Sequence, residues 1–208
     1  MINKIFNGAY LKRLDNIVQW SEKDVFTRET VSQHSFKVTI FCRVLLHEIF
    51  GVPKSERVAR FCMRCVDHAM FHDWDEALLL RDISHETKYN EYNGYEIRKA
   101  LDNLSRHLAS QEFVDGTPTG DFIYSAIQEN DEVVHAFCKV CDWMALAFFI
   151  KREQSLGNRN LSVQTQTVKK GLEKSIKACK DYLEDAFNAD EYNLKALDGL
   201  MEGIYYEE

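Results

Sequence analysis

His72 and Asp73 stand side by side in Phe71-His72-Asp73-Trp74-Asp75-Glu76-Ala77, and both are metal-ligand residue types. An upstream histidine, His34, and a downstream aspartate, Asp142, complete a set of two histidines and two aspartates able to hold one divalent ion. Imidazole nitrogen combined with carboxylate oxygen suits borderline first-row ions such as cobalt, manganese, zinc, iron or nickel. Magnesium and calcium instead favour all-oxygen shells. His34 lies 38 positions before His72, and Asp142 lies 69 positions after Asp73. Such separations place the ligands on different helices, around a metal in a bundle core. A metal so held would acidify water and polarise a phosphoryl oxygen, which makes a hydrolase the leading expectation.

The elements that must position these residues read as helices. Thr30-Val31-Ser32-Gln33 is a polar helix entry, and Lys37 to Leu46 follows with apolar residues at helical spacing, so His34 is predicted near a helix start. Glu76 comes four residues after His72, a spacing that predicts both on one side of a helix. Helical patterning is readable over residues 3–20, 32–50, 55–71, 74–80, 90–110, 119–129, 132–156, 161–187 and 191–204, with almost no strand-like alternation. The breaks fall at Gly51 to Ser55, Asp115 to Gly120 and Gly157 to Asn160. With 208 residues, 45% hydrophobic and only two prolines, an all-α single domain over 1–208 is expected. The amphipathic stretches after residue 160 would complete the bundle or form an interface.

Several further words occur in a fixed order: Leu14 to Trp20, Val31 to Ser35, His72 to Glu76, Arg81-Asp82-Ile83 with Lys88-Tyr89, and Cys141-Asp142-Trp143 followed by Glu153 to Asn158. In that order, over about residues 10–160, the chain resembles the HD-domain phosphohydrolases, in the branch of bacterial 5′-deoxynucleotidases and phage deoxynucleoside triphosphohydrolases. The resemblance implies a helical bundle with a metal site in its core. It also implies that His34, His72, Asp73 and Asp142 are metal ligands and that Glu76 is the catalytic acid or base. Gln19, Trp20, Asp82, Lys88 and Arg13 would contact substrate, with the cations, and Arg81 beside them, neutralising phosphate charge.

The chain departs from that pattern at two places. Relatives usually carry an arginine before the tryptophan, whereas Gln19 precedes Trp20 here; glutamine can hydrogen bond but supplies no charge. Arg13 and Arg28 are the nearest cations in sequence. The loop from Arg81 to Tyr89 also lacks the proline that many relatives carry before the lysine. Both departures fall where base and phosphate selectivity would be set.

Two pairs with C-x2-C spacing, Cys62 with Cys65 and Cys138 with Cys141, offer a competing zinc site. Both lie within continuous helical patterns, where cysteines three apart read as buried small hydrophobes. His68 forms an i, i+4 pair with His72, but the intervening Ala69-Met70-Phe71 lacks the glutamate of a metalloprotease motif, so His68 reads as a pocket-wall or core residue.

A net charge of −7 and a pI near 5.5 disfavour binding to nucleic-acid polymers. The apolar run Ala145 to Ile150 is too short to span a bilayer, and the amino terminus carries no secretory pattern. A cytoplasmic location is therefore expected, in agreement with six cysteines outside any compact secreted framework. The resemblance implies a small deoxyribonucleotide as substrate and a homo-oligomer as the assembly. Release of the 5′-phosphate from a monophosphate is preferred. The alternatives are a triphosphohydrolase, conceivably acting on dATP, and a non-catalytic metal- and nucleotide-binding protein.

Overall fold

Thr30 and Gln33 cap each other. The Thr30 backbone N–H donates to Gln33 Oε1 at 3.0 Å, and the Gln33 N–H donates to Thr30 Oγ1 at 3.3 Å. This reciprocal box satisfies amide groups that a helix start leaves open, and helix α2 (Val31–Phe50) begins there. The structure is a computed structural model and describes residues 9–79, 95–97, 99–101, 103–104 and 125–205. The chain divides into two compact units, Met1–Ser35 with Phe71–Gln128, and Phe36–Met70 with Glu129–Glu208.

In the first unit, α1 (Ala9–Leu14) packs on the short α4 (Glu76–Leu79). The helix predicted over 3–20 stops at Leu14. Asn16 takes the Lys12 carbonyl with its side-chain Nδ2 at 2.6 Å, a local bond that competes with helix continuation. The chain then pairs with itself. The Gln19 N–H donates to the Glu29 carbonyl at 2.8 Å and the Val31 N–H to the Ile17 carbonyl at 2.9 Å, around an antiparallel bridge between Val18 and Thr30. Among the described residues there is no strand beyond that bridge, and the architecture is all-α.

The second unit holds most of α2 and α3 (Glu56–Phe71), together with α5 (Glu132–Ser155), α6 (Ser162–Ala186) and the short α7 (Lys195–Asp198) and α8 (Leu200–Tyr205). Its core includes an aromatic cluster in which Phe61 meets Phe50, Phe137 and Phe187 edge-on at 5.0–5.9 Å between ring centroids. Helix α5 starts at Asp131, whose carboxylate accepts the Val133 N–H at 3.0 Å. It ends in a Schellman turn: the Asn158 N–H reaches the Glu153 carbonyl, the Gly157 N–H reaches the Gln154 carbonyl, and Gly157 takes a φ of +95°. The Asn158 side chain adds a 2.9 Å bond to Glu153 Oε2, which explains the sequence word Glu153 to Asn158 as a buried helix stop.

Helix α5 is long and apolar enough to cross a membrane by length and composition, further than its Ala145 to Ile150 run suggested. However, 61% of its most apolar window is buried inside the protein, as in a core helix. Helix α6 buries Val168, Leu172, Ile176, Cys179 and Leu183, one stripe at helical spacing, and packs against α5. At Gly171 the two helices meet so closely that a Cβ would lie 2.5 Å from the Trp143 ring.

Candidate metal centre

His34 sits one turn into α2, directly after the Thr30–Gln33 cap, and is 1% exposed. Glu29, also buried, places Oε1 3.7 Å from His34 Nδ1. That separation is beyond hydrogen-bond length, so Glu29 is a charged neighbour of the ring. Sequence reasoning missed Glu29; a glutamate just before a predicted helix entry looks like ordinary surface charge.

His72 and Asp73 lie just beyond the end of α3, in the turn that spans residues 72–75. The Trp74 N–H donates to the Phe71 carbonyl and the Glu76 N–H to the Asp73 carbonyl, folding the chain directly into α4. His72 and Glu76 are therefore not on one continuous helix, and the i, i+4 argument for their shared face does not hold. The turn instead lets adjacent side chains converge, with His72 Nε2 3.2 Å from Asp73 Oδ2. The His34 and His72 rings are 5.5 Å apart. Glu76 opens α4 and is 1% exposed, which excludes a solvated acidic face.

Asp142, on α5, is 9% exposed. His34, His72 and Asp142 each offer a metal-ligand atom, and with Asp73 beside His72 this set of imidazoles and carboxylates fits a divalent transition metal by donor chemistry. The carboxylate of Asp142 also receives Lys139 Nζ at 2.6 Å, a contact no sequence motif indicated, since a lysine three residues from an aspartate is common on helices.

The residues expected to touch substrate are partly placed. Gln19 is buried, and Trp20 is half-buried with a φ of +59°, a left-handed backbone uncommon for a bulky side chain. The pairing of residues 17–19 with 29–31 holds both beside the segment that leads into His34. Arg13 lines a cavity of about 270 Å³ with Lys12, Asn16 and Ile17. Asp82 and Lys88, with Arg81, lie outside the described residues.

The C-x2-C pairs are core thiols. Cys65, Cys138 and Cys141 are buried, all six cysteines are free, and Cys138 Sγ donates to the Cys65 carbonyl at 3.2 Å. Burial pushes the Cys65, Cys138 and Cys141 thiols up and Cys62 to about 11. Among the described residues the cysteines form no metal-spaced group. His68 is buried and packs edge-on against His135 at 4.6 Å between ring centroids, as a core residue.

A helical fold with a histidine and aspartate cluster of this kind defines a class, the HD-domain phosphohydrolases. An HD-domain phosphohydrolase from Listeria innocua has a similar fold, with a TM-score of 0.61 over 93% of this chain and 95% of that one, at 14% sequence identity. Residues 7–190 match the YfbR-like 5′-deoxynucleotidases, and the chain belongs to that family. Membership of that family makes it a phosphohydrolase. No curated protein matches the chain.

Proposed function

We propose that the protein removes the 5′-phosphate from deoxyribonucleoside monophosphates, using one divalent transition metal held by His34, His72, Asp73 and Asp142. The observation that carries this reading is the approach of the His34 and His72 rings to 5.5 Å, with Asp73 beside His72, in a chain of the 5′-deoxynucleotidase family. A bound metal of this type supplies Lewis acidity, making water more acidic and offsetting phosphate charge.

The protein's own groups do the rest. Glu76, shielded from bulk water, takes a proton from the attacking water or gives one to the departing nucleoside oxygen. Trp20 offers a ring for the base or deoxyribose and Gln19 a neutral hydrogen-bonding amide, while Arg13, Lys88 and Asp82 contact phosphate and sugar. The substrate is thus a small nucleotide, the setting is cytoplasmic, and copies of the chain associate. In support of association, Phe36, Ile40 and Val44 are exposed at successive i, i+4 positions along α2.

One observation favours a second reading. Lys12 and Arg13 both line the cavity at α1, and two cations there suit the additional charge of a triphosphate. Phosphorus NMR of products from metal-loaded protein and each deoxynucleoside mono- and triphosphate separates the two. Orthophosphate from monophosphates is the expected result, and intact triphosphate released from a dNTP would establish the second reading. Metal and nucleotide binding with no product from any substrate would make this a binding protein.

A further inference from the structure

Lys139 precedes Asp142 by one turn of α5, and its ammonium is bound on two sides. Nζ sits 2.6 Å from Asp142 Oδ2 and lies over the Trp143 ring, 5.0 Å from the centroid. Trp143 is itself fixed, being 6% exposed, with the α6 backbone at Gly171 pressed against its ring. The lysine is therefore less free to swing than an ordinary surface partner. Its side chain is 34% exposed and that of Asp142 is 13% exposed, so solvent screens the pair only in part.

A carboxylate that helps hold a divalent ion while bonded to an ammonium must share its negative charge between two cations that repel each other. An anion arriving at the ion relieves that repulsion, because it is attracted by both positive groups. We propose that Lys139 is a positioning residue that weakens cation binding in the absence of an anion and couples metal binding to phosphate binding. Binding linkage is reciprocal, so phosphate also binds more tightly once the metal is present. The substrate's own phosphate would then complete the centre, and Lys139 would supply a positive charge in a chain that has Gln19 where relatives carry arginine. This inference rests on Asp142 being a metal ligand.

The test is titration of the chelator-stripped full chain with Mn2+, followed by electron paramagnetic resonance of the free ion, with and without inorganic phosphate. The unmodified protein is compared with Lys139→Met, Lys139→Arg and Asp142→Asn, each checked for folding by circular dichroism. In the unmodified protein, phosphate should tighten Mn2+ binding. Lys139→Met should bind Mn2+ about tenfold more tightly without phosphate, after allowance for screening, and lose most of the phosphate effect. Lys139→Arg should behave as the unmodified protein. Mn2+ binding that Lys139→Met leaves unchanged or weakens, while Asp142→Asn abolishes it, overturns this inference alone. Absence of Mn2+ binding in the unmodified chain overturns both it and the metal-centre reading.

Discussion

Glu76 is the residue at which binding and chemistry should separate. Its carboxylate is buried at the start of α4, beside the turn that carries His72 and Asp73. Glu76→Gln keeps the shape and removes the ability to exchange a proton. The expected outcome is a kcat lower by a factor of about one hundred or more, with metal content by mass spectrometry unchanged. Loss of metal in that variant would make Glu76 a ligand rather than an acid or base. The nearness of His34, His72 and Asp73 was legible from residue type and order. Their neighbour Glu29, and Lys139 beside Asp142, were not, because neither has a side chain unusual for its place in the sequence.

At the scale of elements, the long helices were legible because their apolar spacing agrees with the packing that buries it. Residues 15–20 were misread. Their composition tolerates a helix, but the Asn16 side chain closes α1 early and backbone pairing with residues 29–31 takes over. The helix end at Phe71 was readable, and only the i, i+4 reading of His72 with Glu76 ran across the turn that follows it.

The close approach of α6 to α5 predicts that Gly171→Ala, whose new methyl would meet a ring held in the core, destabilises the protein by about 1–3 kcal/mol. Thermal or urea melts measure this directly. The start of α5 predicts a dependence on pH. Burial alone would raise the Glu129 carboxyl, but the Arg64 guanidinium and the Asp131 and Asn130 backbone N–H groups outweigh it and hold the carboxyl below its usual 4.5. A carboxyl depressed on folding adds stability that is present above pH 4.5 and is lost as pH falls through the folded value. Glu129→Gln should therefore be less stable than the unmodified protein at pH 7, with the gap closing in acid. A gap independent of pH would contradict that assignment.

For the whole molecule, a ligand that binds only the folded state raises stability by mass action. At one hundred times its dissociation constant the gain is about 2.7 kcal/mol. Differential scanning calorimetry should show a higher Tm with Mn2+, Co2+ or Zn2+ than with chelator, and His72→Ala with Asp73→Ala should remove the difference. The class of fold was legible in the order of the sequence words, which is the order of the family to which the chain belongs. Specificity was not, because residue types alone leave open which nucleotide a site accepts.

The most direct test of the metal-dependent phosphohydrolase is phosphate release from a panel of deoxynucleoside monophosphates by chelator-stripped protein reloaded with one equivalent of metal. The account predicts no activity without metal, recovery of activity at one metal per chain, and neither metal retention nor turnover in the His72→Ala, Asp73→Ala double variant. Turnover by the stripped protein, or by the double variant, would contradict it.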